Sequence, residues 1–371
     1  MFTQVSFLDR VSSITATRVF TVVMLVVLIA GLVGCSSSAT PTLASPTSSS
    51  PTQPVATRAS VTPSASATQS AAAAPTTAAA LPARGGSGGM AGSLMSVTPT
   101  YKDVAYAAVS AAQKLDLYIP QGTGPFALVI MVHGGGFMMG DKADGAGLGG
   151  GDKILAQGYA IASLNYRLAA EAKFPAQIQD VKAAVRFLRA NAQKFNLNPD
   201  KFAAFGASAG GNLVSLLGTS CGVAELEGAE LGNAGQSSCV QAVVDWFGPI
   251  DFLKMDEQFT GTSCPVNHND ASSPESQVLG AAIQSVPEKA KAANPMTYIN
   301  AKAPAFLIQH GTADCNIPPV QGQLLADALT QAIGKDKVTL TFIDGAGHGG
   351  SQFTTEANLK IVTDFLAKYL K

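Results

Sequence analysis

Charge is scarce in this chain of 371 residues, of which Asp, Glu, Lys and Arg make up only 13%. The formal net charge is −1, and residues 97–371 carry 20 basic against 24 acidic side chains. The charges form neither a basic cluster nor a block of one sign. A protein that binds nucleic acid needs a basic surface to neutralise phosphates. The composition therefore disfavours nucleic acid as a partner, and we expect none.

The apolar run at residues 19–34 is shorter than the about 20 residues that a membrane-spanning helix needs. It follows Arg10 and Arg18 and ends in small residues, which is typical of a secretory signal. Its end, LVGC at residues 32–35, resembles a bacterial lipobox, in which the cysteine is lipidated. We predict a lipoprotein signal peptide over residues 1–35 and a lipid on Cys35. The alternative is an uncleaved anchor, and both interpretations export the protein and tether it to the bacterial membrane or envelope surface.

Residues 36–96 have a composition that cannot form a hydrophobic core. Ser, Thr, Pro and Ala account for 45 of these 61 residues, and the charged residues among them are Arg58 and Arg84. So little apolar surface cannot offset the entropy that is lost on ordering. We predict a disordered linker over residues 36–96 and one folded domain over residues 97–371, a length that suits a single α/β domain.

Cysteine is also rare, with five in the chain. If Cys35 is lipidated, an even four remain, which in an exported protein indicates two disulfides with three possible connectivities. We expect Cys221 to pair with Cys239 and Cys264 with Cys315. Four free buried thiols are the alternative. A zinc site is disfavoured because no CxxC or HxxxH spacing accompanies these cysteines.

Short apolar runs alternate with amphipathic stretches along the folded part. FALVIMV at residues 126–132 is a continuous apolar run, as in a strand that is buried on both faces. Residues 178, 181, 185 and 188 are apolar at helical spacing. We predict strands at 115–119, 126–132, 159–166, 202–205, 240–247, 305–309 and 338–343, and helices around 154–157, at 176–195, 213–217 and 320–333, and at the C-terminus. This alternation predicts an α/β fold with a mainly parallel, doubly wound sheet and helices on both faces.

The motif GASAGG at residues 206–211 lies between a predicted strand and a predicted helix. In a nucleophile elbow, a serine occupies a sharp strand-to-helix turn whose close approaches admit only small neighbours. This context identifies Ser208 as the candidate nucleophile. An ordinary tight turn explains the motif equally well on its own, so other sites have to support the assignment.

The motif HGGGF at residues 133–137 directly follows a predicted buried strand. Consecutive glycines let backbone N–H groups turn toward one point, which acyl transfer requires where an oxyanion forms. We expect the amides of Gly135, Gly136 and Ala209 to form this oxyanion hole, and His133 to brace the loop. A flexible loop or a phosphate cradle is the alternative, but no Lys-Ser/Thr follows in the P-loop spacing.

Two further motifs follow the last two predicted strands. Asp314 ends HGTAD at residues 310–314, and His348 lies in GAGHG at residues 345–349. The order Ser208, Asp314, His348 is the nucleophile, acid, base order of a large class of hydrolases. Each residue alone could make a local hydrogen bond in a loop. Four such features in order at successive strand ends predict a catalytic triad.

These motifs resemble those of the α/β-hydrolase superfamily. HGGGF and GASAGG are similar to the motifs of bacterial hormone-sensitive-lipase-like esterases. FPAQIQD at 174–180, SPES at 273–276, NP at 294–295 and the run 304–318 look closer to the bifunctional feruloyl/acetyl xylan esterase-like enzymes. The resemblance covers about residues 101–371 and implies an α/β-hydrolase fold. Only low-complexity sequence precedes the first strand, so we expect no substantial N-terminal cap and an acyl site that is open or covered by residues 251–298.

The resemblance implies a serine carboxylesterase that cleaves short-chain acyl or acylated carbohydrate esters through an acyl-enzyme. The expected partner is a small-molecule or polysaccharide ester. No cofactor is expected, and no metal, because no metal-ligand spacing is present. A serine peptidase of the same fold and a non-catalytic surface binding protein remain alternatives. A peptidase would normally bring a selecting domain and an acidic site for a free amine, and binding relatives tend to lose the serine or histidine.

Other residues are candidates for supporting roles. Asp251 could line the pocket or stabilise a loop. Met138 and Met139 follow HGGGF at residues 133–137, here named the oxyanion loop. They could form either a wall of the acyl site or part of the core. Arg167 and Asp180 are expected, by analogy with the resembled family, to pair and brace the loop after the third predicted strand, with solvated surface charges as the alternative.

Overall fold

The computed structural model describes residues 95–264 and 267–371. The predicted signal peptide with Cys35, and the predicted linker up to residue 94, lie outside the described residues. Ser96, the last residue of that linker, donates its backbone N–H to the Asp152 carboxylate at 3.0 Å. Within the described ranges, no helix has both the length and the apolarity that a membrane span requires.

A single sheet of eight strands organises the described part of the chain. The strands are β1 Tyr101–Ala105, β2 Lys114–Tyr118, β3 Phe126–Val132, β4 Ala160–Leu164, β5 Leu197–Ala207, β6 Ala242–Trp246, β7 Ala305–Gly311 and β8 Val338–Ile343. Their order is β1-β2-β4-β3-β5-β6-β7-β8. Strands β3 to β8 run parallel, and β2 is antiparallel to both of its neighbours. The predicted mainly parallel sheet is confirmed.

Ten α-helices connect and cover these strands in the described ranges. They are α1 Lys142–Ala146, α2 Gly151–Ala156, α3 Ala176–Ala190, α4 Ala209–Thr219, α5 Ala224–Glu227, α6 Met255–Gln258, α7 Pro274–Leu279, α8 Pro287–Ala292, α9 Val320–Ile333 and α10 Glu356–Leu370. Short 3-10 helices lie at Ala229–Leu231, Phe252–Lys254, Ile283–Ser285, Pro295–Tyr298, Lys335–Lys337 and Ser351–Thr354.

The side chains of β3 show why its sequence is apolar throughout. Leu128, Ile130 and Val132 pack into one core cluster together with side chains of α3, α4 and α9. Val129 and Met131 point to the other face and pack with side chains of α1, α2 and α10. Because successive residues of a strand face opposite sides, burial of both faces requires an unbroken apolar run. The predicted doubly wound arrangement, with helices on both faces, is confirmed.

Three differences from the sequence prediction have local causes. Strand β1 was not predicted because its side chains are mostly exposed and show no apolar alternation. Strand β5 begins at Leu197 instead of residue 202, since its pairing with β3 shifts by a bulge that accommodates Pro199. Helix α3 ends at Ala190, five residues early, and Asn196 then adopts a left-handed φ of 55°.

Strand β1 occupies the position before β2, where we expected no substantial N-terminal cap. In the described residues, the segment before β2 forms an edge strand that pairs with β2, and no helical cap precedes it. The described residues between 251 and 298, by contrast, form short helices joined by loops.

Two disulfides join Cys221 to Cys239 and Cys264 to Cys315, which is the expected pairing. The joined residues are 18 and 51 positions apart in the chain. On the chain-entropy account, closing loops of these lengths stabilises the native state by about 3 and about 4 kcal/mol. The second bridge matters for the site, because Cys315 directly follows Asp314.

A buried carboxyl lies beneath the turn that follows β5. Asp245 of β6 is 1% exposed. Its Oδ2 accepts a hydrogen bond from Ser215 Oγ at 3.1 Å, and its Oδ1 accepts one from the Gly248 amide at 3.0 Å. Burial raises the pKa of Asp245 to about 6, although both hydrogen bonds oppose the rise.

Asp245→Asn is expected to make the free energy of unfolding less dependent on pH. The native pKa of Asp245, about 6, lies above the unfolded value of about 3.9. The stability that this carboxyl contributes is therefore complete below the unfolded pKa and is lost as the pH rises through the native pKa. In urea unfolding between pH 4 and pH 7, the free energy of unfolding of the variant should increase relative to that of wild type as the pH rises. The increase should be about 1.4 kcal/mol for each unit by which the native pKa of Asp245 exceeds the unfolded pKa. Asp144→Asn, at an exposed position, is the control, and a pH-independent difference for Asp245→Asn would contradict the assignment.

Candidate active site

Ser208 occupies the turn between β5 and α4, with φ 57° and ψ −124°. Its backbone N–H donates to the Trp246 carbonyl of β6 at 2.9 Å. A Cβ at Gly206 would lie 2.2 Å from the Gly210 carbonyl oxygen, and one at Gly210 would lie 2.1 Å from the Val132 carbonyl oxygen. Larger residues at these two positions would push the backbones apart. The glycines of the motif therefore permit the turn that places the serine at the end of the sheet.

Ser208, His348 and Asp314 form a continuous hydrogen-bonded chain. His348 Nε2 lies 2.9 Å from Ser208 Oγ, and His348 Nδ1 lies 2.8 Å from Asp314 Oδ2. The three residues follow β5, β8 and β7, whose carboxyl ends meet at one edge of the parallel sheet. Strand topology thus brings together three residues that are 34 and 140 positions apart in sequence.

The Asp314 carboxylate is buried and accepts several hydrogen bonds. Its Oδ1 accepts the backbone N–H groups of Asn316 and Ile317 at 2.8 and 2.9 Å. Burial favours the neutral form, but hydrogen bonds from His310 and His348 outweigh it and hold the pKa of Asp314 well below its ordinary value. Asp314 is therefore a carboxylate that orients the His348 ring.

The ring of His348 packs against Phe247, with ring centroids 4.7 Å apart in an edge-to-face arrangement. Phe247 follows β6 and has a φ of 44°, which is unusual for a bulky residue. The His348 side chain is 18% exposed, whereas that of Asp314 is fully buried. The histidine is thus fixed on one side and reachable from solvent on the other.

The loop after β3 provides unpaired backbone donors. Gly135 and Gly136 have φ of 103° and 61°, which side-chain-bearing residues rarely adopt. Among the described residues, no acceptor is found for the amides of Gly135, Gly136 and Ala209. Ala209 is the first residue of α4, where helical N–H groups have no partner within the helix. The three amides predicted for an oxyanion hole are therefore free to bind an acceptor.

His133 braces this loop, as expected. Its ring stacks on Tyr166 at 4.4 Å, and its Nδ1 donates to the Gly134 carbonyl at 2.7 Å. Tyr166 in turn donates its hydroxyl to the His133 carbonyl at 3.1 Å. Burial lowers the pKa of His133, which keeps the ring neutral.

The supporting candidates divide into three groups. Arg167 and Asp180 form a bidentate ion pair at 2.7 and 2.9 Å behind the loop after β4, as expected. Asp251 caps a short helix by accepting the Leu253 amide at 3.2 Å, which is a structural role. Met138 and Met139 are 43% and 66% exposed, so they are not core residues.

Two features of the site were not predicted from the sequence. His310 Nε2 lies 3.3 Å from Asp314 Oδ2, so the acid contacts a second histidine. The sequence signal for it is the spacing of four residues within HGTAD. Phe247 is the other, and nothing in its sequence context marks it as a neighbour of His348.

Described residues between 251 and 298 contact both the loop after β7, which carries Asp314, and the oxyanion loop after β3. His268 Nε2 donates to the Asn316 carbonyl at 2.9 Å, and the Cys264–Cys315 disulfide lies beside it. A Cβ at Gly136 would lie 3.0 Å from the Pro274 ring, so α7 begins against the oxyanion loop. The described residues of this segment therefore lie against both loops.

The arrangement has the parts that nucleophilic acyl transfer needs: a serine hydroxyl, a histidine base, an oriented carboxylate and free amides. Within residues 95–264 and 267–371, no group of three His, Cys, Asp or Glu side chains is placed to hold a metal ion.

The sequence of this chain matches a known protein family. The sequence profile of the BD-FAE family matches residues 115–329. Esterase LipC of Mycobacterium tuberculosis is 32% identical over 240 residues, which are 64% of this chain and 57% of that protein. The chain thus spans little more than half the length of this relative.

Solved structures give the same fold. A truncated carbohydrate esterase from gut microbiota is 34% identical with a TM-score of 0.66, over 72% of this chain and 95% of that one. The butyrate-bound thermophilic esterase Est2 of the Planctomycetes species Thermogutta terrifontis is 25% identical with a TM-score of 0.57, over 71% and 92%. The expected α/β-hydrolase fold is confirmed, and because the family profile covers more than half of the chain, this protein belongs to the BD-FAE family.

Proposed function

We propose that the chain is a serine esterase that hydrolyses carboxylic esters through an acyl-enzyme on Ser208. The observation that carries the proposal is the hydrogen-bonded chain from Ser208 Oγ through His348 to Asp314, at 2.9 and 2.8 Å. The unpaired amides of the oxyanion loop and the similarity to LipC and to the gut carbohydrate esterase support the same reaction class.

The first half of the reaction forms the acyl-enzyme. His348 Nε2 takes the proton of Ser208 Oγ as the oxygen attacks the ester carbonyl carbon, and Asp314 accepts the Nδ1–H bond so that the Nε2 lone pair faces the serine. The amides of Gly135, Gly136 and Ala209 stabilise the oxyanion of the tetrahedral intermediate. The intermediate then expels the alcohol, which leaves with the proton held by His348.

The second half regenerates the enzyme. Water loses a proton to His348 Nε2 and attacks the acyl carbonyl, and the same three amides stabilise the second oxyanion. The acid product leaves as Ser208 Oγ regains its proton. The 18% exposure of the His348 side chain gives water access to the base.

The substrates we propose are short-chain acyl esters or acylated carbohydrate esters, as a small molecule or a polysaccharide. The start of α7 against Gly136 restricts space beside the oxyanion loop, which favours small acyl groups. The similar gut enzyme is a carbohydrate esterase, and Est2 has butyrate bound. Exposed Met138 and Met139 beside the loop offer an apolar surface to the rest of the ester.

Ser208→Ala should abolish ester hydrolysis, because only the serine oxygen can form the acyl-enzyme. The full chain, purified in detergent, is assayed on p-nitrophenyl acetate, butyrate, octanoate and palmitate, with methyl ferulate and acetylated xylan alongside. Wild type should cleave acetate or butyrate fastest, and the variant should be slower by about 10⁴-fold or more. Ser237→Ala, at an exposed site far from the elbow in sequence, is the matched control.

The same assay separates the alternatives. Equal activity of wild type and Ser208→Ala would refute the triad. Inertness of wild type on every ester, with cleavage of dipeptide p-nitroanilides, would support the peptidase. Inertness on both substrate classes would support a binding protein.

The attachment of this enzyme to a membrane is a further part of the proposal. We propose that residues 1–35 export the chain, that a lipid on Cys35 anchors it to the bacterial membrane or envelope surface, and that the Ser/Thr/Pro/Ala-rich residues 36–96 hold the catalytic domain away from that surface. The support is the order of basic start, apolar core and LVGC in the sequence.

Cys35→Ala should remove the anchor without changing the catalytic domain. Expressed in a bacterium, the wild-type chain should incorporate labelled palmitate and partition into the detergent phase of Triton X-114. The variant should not incorporate the label, since no thiol remains to carry it. Labelling of both chains, or of neither, would contradict lipidation at Cys35, and partition of an unlabelled wild type into detergent would favour the uncleaved anchor.

A further inference from the structure

His310 is a buried histidine that the proposed mechanism does not use. It lies in β7, four residues before Asp314, and its side chain is fully buried. Its Nε2 is 3.1 Å from the Ile317 carbonyl oxygen and 3.3 Å from Asp314 Oδ2. Since both neighbours only accept hydrogen bonds, Nε2 carries a proton, which lies between the two acceptors.

This contact completes the set of donors around the acid. Asp314 Oδ1 accepts two backbone amides, and Oδ2 accepts His348 Nδ1. His310 Nε2 lies 3.3 Å from the same Oδ2 and also 3.1 Å from the Ile317 carbonyl oxygen. With two amides on Oδ1 and two histidines beside Oδ2, rotation of the carboxylate about its Cβ–Cγ bond would break several of these contacts at once.

Phe247 links the two histidines of the cluster. Its ring meets His348 at 4.7 Å and His310 at 6.4 Å, in each case edge to face. Asp245, on the neighbouring strand β6, also interacts electrostatically with His310. The side chains around Asp314 therefore form one packed unit in which the position of His310 bears on the position of His348.

We propose that His310 is a positioning residue of the triad, which donates its Nε2–H to Asp314 Oδ2 and thereby fixes the carboxylate toward His348. The inference rests on the proposed function, because it assigns His310 a role through Asp314. A residue that only fills space between β7 and α9 would need the shape of the ring but not its N–H group. The donor and the shape can be separated by substitution.

Three substitutions of His310 separate the effect of the N–H donor from the effect of the ring's shape. His310→Gln places an amide N–H near the position of Nε2, His310→Asn holds its amide too far from Asp314, and His310→Leu has no donor. Because a hydrogen bond to a charged group contributes about 1.5–3 kcal/mol, Leu and Asn should lower kcat by about 10- to 100-fold with little change in KM. The Gln variant should retain at least about ten times the kcat of the Leu variant.

The pH profile gives a readout that packing alone would not move. The N–H of His310 stabilises the negative charge beside His348, so its loss lets the Asp314–His348 pair hold a proton at higher pH. The acid limb of kcat/KM should shift to higher pH in His310→Leu and His310→Asn, and much less in His310→Gln. Thermal unfolding of each variant shows which of them fold.

His268→Leu is the matched control. His268 is also a buried histidine, and its Nε2 bonds to Asn316 of the same loop without contacting Asp314. We expect it to loosen the Asp314 loop and lower stability but to leave the acid limb in place, because it removes no N–H group beside the Asp314 carboxylate. Equal losses of kcat in His310→Gln and His310→Leu, or an unchanged acid limb in folded His310→Leu, would overturn the proposal.

All variants are measured as the full chain on p-nitrophenyl acetate, with Ser208→Ala in parallel. If Ser208→Ala is as active as wild type, the proposed function fails. If Ser208→Ala is inactive and His310→Leu matches wild type, only the role of His310 fails.

Discussion

The backbone contact beneath Ser208 is the constraint on which the rest of the site depends. A serine at φ 57° carries a strain of about 1–3 kcal/mol and persists only where its surroundings fix it. Here β3, β5 and α4 approach so closely that a Cβ at Gly210 would meet the Val132 carbonyl at 2.1 Å. This packing holds the hydroxyl at the carboxyl edge of the sheet, beside the first free amide of α4.

The acid and the base are held in different ways, which suits their roles. The Asp314 loop is tied down by two backbone amides, by His310, and through its next two residues by a disulfide and by His268. His348 is packed on one side by Phe247 but is partly exposed on the other. In the proposed reaction, a rigid carboxylate combined with an accessible imidazole allows one ring to serve both the serine and a water molecule.

How much of this could be predicted from the sequence depended on whether the cause was local. GASAGG and HGGGF were informative because Gly206, Gly210 and Gly135 have no room for a side chain, and this restriction shows in the sequence as glycine. Burial of β3 on both faces follows from its unbroken apolar run. The contact of His310 with Asp314 depends on the path of the loop after β7. The contact of Phe247 with His348 depends on β6 and β8 ending at the same edge of the sheet, with β7 between them. The short helices of residues 251–298 carry no periodicity, so their place over the oxyanion loop appears only in three dimensions.

The most direct test of the central claim is covalent labelling of the nucleophile. The full chain is incubated with phenylmethylsulfonyl fluoride, and the modified residue is located by peptide mass spectrometry, with His348→Ala in parallel. The account predicts one sulfonyl adduct, on Ser208, loss of ester hydrolysis in proportion to labelling, and little labelling without the histidine that activates the serine. An adduct on another residue, or hydrolysis that continues after Ser208 is fully modified, would contradict it.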